Sequence, residues 1–129
     1  MADVFTSAST ELFKWVVSTL TRQGVNVGGT AAYPRAEVST LTENGPSDKD
    51  NSVRSFALVL ESISDRSLGE AYDINATDLA LLQDADDTLD NYRIVGVVEG
   101  TINTMEDMGE ASLVLYRVIN NLTIYVSEI

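Results

Sequence analysis

The segment DNYRIVGVVEGTI, residues 90–102, constrains the fold most strongly, because it is typical of a strand with two apolar faces. Side chains alternate between the faces of a strand, so its apolar residues divide into two sets. One set is Tyr92, Ile94, Val98 and Ile102, and the other is Val95 and Val97. A strand that is apolar on both sides needs cover on both sides, from its own chain or from another.

The length and composition favour one domain without disulfides or cofactors. A chain of 129 residues fits a single domain, 1–129, and 44% of its residues are hydrophobic. It contains no cysteine and no histidine, which excludes thiolate metal sites and the ordinary nucleophile–base pairs of hydrolytic enzymes. The sequence therefore predicts no cofactor and no metal site.

The charge is strongly acidic. Eight Lys and Arg residues stand against twenty Asp and Glu residues, for a formal net charge of -12. Such a chain repels phosphate backbones and anionic lipid surfaces. We therefore expect no sequence-specific nucleic-acid binding and no membrane partner.

Two segments have the apolar spacing of helices. The first is predicted over about residues 6–23, where apolar residues recur every three or four positions and Gly24 can end the helix. The second is predicted over about 67–84, where Ser67 and Glu70 fit a capping box. Asn75 lies on the otherwise apolar stripe of this second helix.

The remaining segments predict strands. TAAYPRAEVSTL reads as an edge strand because Pro34 cannot donate to a ladder, and VRSFALVLESISD is the clearest strand. NTMEDMGE, residues 103–110, reads as a turn. The last segment, residues 112–129, is either one long strand or a hairpin or bulge at Asn120 and Asn121.

The order of these elements predicts an α+β domain. We expect a mainly antiparallel sheet of four or five strands with two helices packed on it, in the order α-β-β-α-β-β(-β). Two helices can cover only one face of such a sheet. The other face is then available to a partner, and homo-oligomers bury patches of this kind.

Five residues are candidate contacts with another subunit or partner. TENGPSDKDNS, residues 42–52, is longer than the usual connection of about 4–6 residues, so it is predicted to be a loop that is mobile or in use. Asn44, Asp48 and Asp50 are the candidate contact residues of this loop. Arg93 and Arg117 lie inside predicted strands, where an arginine is either outward or ion-paired within the chain, or forms a salt bridge to another subunit.

Motifs for catalysis or ion binding are incomplete. GVNVGG lacks the spacing of a dinucleotide-binding loop. DADDTLDNYRIVG resembles a calcium loop but lacks Gly at its sixth position and Glu at its twelfth. Acidic residues are plentiful between Asp65 and Asp78, but nothing in the sequence sets a separation between two of them. The protein is predicted not to be an enzyme.

The order of segments resembles the tail terminator and tail-completion proteins of long-tailed phages. The segments that carry the resemblance are TELFKWVVSTL, AAYPRAEV, RSFALVLESIS, GEAYDINATDLALLQ, YRIVGVVEGTI and LYRVINNLTIYVSEI. The resemblance implies a virion protein, assembled in the host cytoplasm, that forms a homo-oligomeric ring, typically of about six copies, at the head-proximal end of the tail. Its partners would be its own copies, the tail tube and the head connector.

A second function class stays open on the residues alone. A small cytosolic binding or regulatory module without catalytic activity would have the same composition, and a dimer would cover its sheet isologously. A ring protein should form a closed oligomer of fixed size. A binding module should instead contain a concave pocket within one copy.

Overall fold

A computed structural model describes residues 7–28, 32–46, 53–108 and 114–128. This part of the chain forms two helices and a five-stranded sheet. The elements in order are α1 (Ala8–Leu20), β1 (Asn26–Val27), β2 (Arg35–Pro46), β3 (Val53–Ser64), α2 (Leu68–Asp84), β4 (Tyr92–Met108) and β5 (Val114–Glu128). The predicted α+β class is confirmed.

The strands lie in the order β1-β2-β3-β5-β4. All neighbours are antiparallel except the two-residue strand β1, which pairs in parallel with Arg35 and Ala36 of β2. The sheet is therefore mixed rather than purely antiparallel. Strand β2 is an edge strand beyond Ala36, as the adjacent proline suggests.

Side-chain caps define where the helices begin. The Ser7 hydroxyl accepts from the Thr10 amide at 3.2 Å, and the Ser67 hydroxyl accepts from the Glu70 amide at 3.0 Å. The second cap is only half of the predicted capping box, because the Glu70 carboxylate accepts from the Ser64 hydroxyl instead. Helix α1 ends at Leu20, earlier than predicted, because Thr21 has an extended backbone.

Both helices cover the same face of the sheet. Alternate residues of β3 and β5 point toward them and are almost completely buried, which gives the domain one continuous core. The completely buried side chains of this core are Leu12, Val16 and Leu20 of α1, Phe56, Leu58 and Leu60 of β3, Leu122, Ile124 and Val126 of β5, and Leu82 of α2, and Trp15 and Tyr92 pack beside them. Burial of each such side chain contributes about 1.5–3 kcal/mol.

Strand β5 is one uninterrupted strand, which resolves the choice between a strand and a hairpin. Asn120 and Asn121 continue the pairing with β3, opposite Leu60 and Val59. The strand lies between β3 and β4 and pairs with both, so ladder hydrogen bonds hold it extended through the Asn pair.

Two predicted connections are wrong in part, because strands continue through them. Strand β2 extends to Pro46 by pairing with β3, and only residues 47–52 of the predicted 42–52 loop lie outside the described residues. Strand β4 extends to Met108 by pairing with β5, although residues 103–110 were predicted as a turn. In both cases a long neighbouring strand supplies a ladder that outweighs weak local propensity.

Gly100 of β4 provides a test of this pairing. A Cβ atom at Gly100 would lie 2.5 Å from the Asn121 carbonyl oxygen, whereas a Cβ at Gly96 would meet nothing within 4 Å. We expect Gly100→Ala to lower the free energy of unfolding by about 1–3 kcal/mol. Gly96→Ala, the matched control, should change it by no more than about 0.5 kcal/mol. Chemical denaturation measures both, and equal effects would contradict the close approach of β4 to β5.

Candidate functional site

Strand β4 has a long exposed stretch. Residues 98–106, the β4 edge segment, are all solvent-exposed although they pair with β5 along one side. Strand β4 carries four of the seven large hydrophobic side chains that are exposed among the described residues. These are Val95 (57% exposed), Val98 (51%), Ile102 (40%) and Met105 (50%). A strand with apolar side chains and no cover is typical of an interaction surface.

A bulge explains why the predicted faces of Val97 and Val98 are wrong. The register shifts between Ile94 and Gly96, so that Val97 rather than Val98 lies opposite the buried Ile124 and packs on the core. A second shift lies between Glu99 and Ile102. Each shift changes which side chains face the helices. Ile102 lies opposite Asn120, on the helix side with Tyr92 and Ile94 as predicted, so the misassigned residues are Val97 and Val98.

Beyond Ile94, the outer edge of β4 pairs with no other segment of the described chain, whereas at its start Thr88 forms a single antiparallel bridge with Arg93. The sheet order places β4 at one end, and the opposite end is free beyond the two residues that β1 covers. Free amide and carbonyl groups along an exposed edge are a template for pairing with another chain. From Ile102 to Met108, β4 pairs regularly with β5 and has no bulge.

A cleft lies beside this segment, between α2 and β4. The α2–β4 cleft has a volume of about 230 Å³. Its walls are mostly apolar, and its lining residues are Tyr72, Asn75, Ala76, Leu79, Ala80, Gln83, Glu99 and Ile102. Ala76 and Ala80 lie one turn apart on α2, and their small side chains leave the space that forms the cleft.

A buried polar chain lies behind the cleft and joins α2 to β3 and β5. The side-chain nitrogen Nδ2 of Asn120 donates to the side-chain oxygen Oδ1 of Asn75 at 2.9 Å. The Nδ2 atom of Asn75 in turn donates to the Ser62 hydroxyl at 3.2 Å. Ser62 in turn donates to the Asp78 carboxylate at 3.1 Å, which also lies 2.7 Å from the Arg22 guanidinium. Because a carboxylate only accepts, Asp78 sets the direction of every hydrogen bond in the chain.

The two ends of this polar chain, Asp78 and Asn120, differ electrostatically. Asp78 is completely buried, and burial raises its pKa above the ordinary value even though Arg22 and Ser62 act to lower it. At the other end, the Oδ1 atom of Asn120 accepts no hydrogen bond from the described residues. Asn120 takes part in the polar chain as a donor, through its side-chain nitrogen, so the polar chain contains no donor for its Oδ1 atom.

Three of the five predicted contact residues lie in three different strands of the sheet. Arg117 forms an ion pair with Glu61 at 3.1 Å within the chain, and its side chain is partly buried. Arg93 is exposed and forms no ion pair with any residue that the structure describes. Asn44 is exposed and lies in β2 rather than in a loop. Asp48 and Asp50 lie outside the described residues.

Sequence reasoning missed the polar chain, although a signal was present. Asn75 and Asn120 each interrupt an apolar face, on α2 and on β5, and a buried amide needs partners. Two such interruptions predict that the residues meet, but only the fold shows which surfaces pack. Ser62 and Asp78 complete the chain and carry no comparable signal.

The described residues contain no group of three or more side chains that is suited to hold a metal ion. In the same ranges, neither helix is long and apolar enough to cross a membrane. A second cleft of about 540 Å³ lies between the end of α2 and the start of β4. It is lined by Asp84, Asp86 and Asp87, and the Trp15 indole donates to the Asp86 carbonyl beside it.

The buried carboxylate makes stability depend on pH in a defined direction. With a raised pKa, the folded chain holds the Asp78 proton more tightly than the unfolded chain does. This contribution to stability is fully present below about pH 3.8 and is lost as the pH rises through the folded-state pKa. We expect the stability of the wild type relative to Asp78→Asn to fall over that window. Denaturation at several pH values measures it, with Asp73→Asn on the exposed side of α2 as the control, and a constant difference would contradict the prediction.

Comparison with other proteins identifies the fold but no family. Protein-family profiles give no match, and neither do curated proteins. Among solved structures, a chain described as part of the virion of a native gene transfer agent (GTA) particle is similar over 98% of this chain and 99% of its own length. The TM-score is 0.65 and the sequence identity is 18%. At this identity the similarity shows a shared fold.

Proposed function

We propose that this protein is a structural component of a phage-like virion, without catalytic activity. In the finer form of the proposal, it forms a ring of about six copies at the head-proximal end of the tail, between the tail tube and the head connector. The fold it shares with a chain of the GTA virion supports the coarser statement. The resemblance of its element order to tail terminator proteins supports the finer one.

The β4 edge segment is the observation that carries the proposal. It exposes apolar side chains and a free backbone edge together, and a protein that works as a monomer usually protects such an edge. Contact with further copies would provide the missing cover. Since β4 and β2 are at opposite ends of the sheet, contacts that join unlike surfaces of successive copies are available, and these close into rings.

A binding module is the second candidate, and the cleft of about 540 Å³ favours it. This volume lies within the range of small-molecule sites, about 300–1,000 Å³. The lining differs from such sites, however, since three carboxylates contribute to it and small-molecule pockets are mostly apolar. The exposed edge would then be covered in an isologous dimer.

The absolute mass of the purified protein discriminates between these functions. Light scattering with negative-stain imaging of the same peak should show a closed ring, or growth toward one as the concentration or the salt increases. Added salt should favour assembly because copies of charge -12 repel each other and salt screens the repulsion. A strict dimer would support the binding module, and a monomer under all conditions would contradict the ring.

Polar substitution of the edge segment should weaken assembly without unfolding the chain. Val98→Thr, Ile102→Thr and Met105→Thr together remove exposed apolar surface while threonine retains strand propensity. We expect a large loss of oligomer and a free energy of unfolding of the monomer within about 1 kcal/mol of the wild type.

Phe13→Gln is the matched control for this experiment. It removes an apolar side chain of similar exposure, 46%, from α1. Assembly that is weakened equally by both changes would show that general surface hydrophobicity, and not the β4 edge segment, drives association.

A further inference from the structure

The α2–β4 cleft has the chemistry of a site for one cationic side chain. Tyr72, Leu79 and Ile102 contribute apolar walls, and the Glu99 carboxylate lines the same cleft. Its volume of about 230 Å³ is below the range of small-molecule sites, about 300–1,000 Å³, so a single long side chain is the appropriate size. A long cationic side chain suits such a cleft, because its methylene stem can lie against the apolar walls while its charged end pairs with the carboxylate.

The lining of the cleft favours a donor with several N–H groups. Its charged residue is Glu99, and Asn75 and Gln83 add side-chain amide groups. A carboxylate pairs most strongly with a donor that presents two N–H groups to it, as a guanidinium does. Arginine fits better than lysine, because its planar guanidinium can also lie over the Tyr72 ring.

The ion pairs within one copy indicate which Lys or Arg residue is available to enter this cleft. Of the seven Lys and Arg residues that the structure describes, five have a carboxylate partner within the chain, and these are Arg22, Arg35, Arg54, Arg66 and Arg117. Within the same described ranges, Lys14 and Arg93 form no ion pair. Lys14 lines a small cleft together with the acidic residues Glu11 and Asp90. Arg93 is the exposed arginine that is left over.

Arg93 and the cleft lie on opposite sides of the sheet in one copy. Tyr92 and Ile94, on either side of Arg93, are buried under the helices, so the Arg93 side chain points to the uncovered face. The cleft is on the helix side, because α2 forms one of its walls. The two can meet only between copies. Such a contact joins two unlike surfaces, which is the type that generates rings.

We propose that Arg93 of one copy occupies the α2–β4 cleft of a second copy of this chain and pairs there with Glu99. The contact rests on the proposed ring and identifies the side chains that join one copy to the next. Glu99 is the charged partner, and Tyr72 and Leu79 bury the stem of the arginine.

Charge exchange tests the pair directly. Arg93→Glu and Glu99→Arg, made singly, should each raise the concentration at which half of the chains are assembled by at least about tenfold. The double variant, and an equimolar mixture of the two single variants, should both recover assembly because each restores opposite charges across the contact. Lys14→Glu makes the same change in net charge as Arg93→Glu on α1 and should have little effect.

The outcomes separate this contact from the ring itself. Assembly of the wild type with no loss in Arg93→Glu, or an equal loss in Lys14→Glu, would overturn the pair and leave the proposed ring intact. Loss in the single variants without recovery in the double variant or the mixture would also overturn it. Absence of assembly in the wild type under any salt condition would instead overturn the proposed function. Thermal unfolding of each variant shows whether a loss comes from misfolding.

Discussion

The pairing of β3 with β5 is the interaction on which the rest of the structure depends. Twelve consecutive residue pairs, from Val53 opposite Ser127 to Ser64 opposite Tyr116, form this ladder without a bulge. An unbroken register keeps alternate side chains of both strands on one face. That face is a continuous apolar platform, and both helices pack on it. The outer pairs, β2 with β3 and β4 with β5, each contain two register shifts.

The sheet is regular at its centre and irregular at its edges, and this difference determines where the candidate interface lies. Bulges change the faces of β4 so that its first half contributes to the core, while residues 98–106 are left exposed. Helix α2 packs over β3 and β5 and is anchored there by the polar chain from Asn120 to Asp78. It therefore stops short of the edge, and the α2–β4 cleft is the space that remains. The packing of α2 and the bulges of β4 therefore determine both the buried core and the exposed surface of β4.

Local patterns predicted a large part of the fold. The apolar spacing located both helices, Ser67 marked the start of α2, and alternation identified β3. Prediction failed where neighbours decide the structure. Residues 42–46 and 103–108 are polar and rich in turn-forming types, but long strands beside them supply hydrogen-bond partners and extend them. The candidate site was predicted only as a strand in need of cover, because its exposed residues depend on two bulges.

The sequence by itself determined that the chain is acidic, with a charge of -12 and no Cys or His. It also determined that the chain contains two amphipathic helices and a strand that is apolar on both faces. These are properties of residue types and of their spacing, so they can be read along the chain. The tertiary structure decided which face of each strand is covered, which amides meet in the core, and that Arg93 and Glu99 lie on opposite sides of one sheet. Those features depend on register and on packing between distant segments, and a one-residue shift in register reverses them.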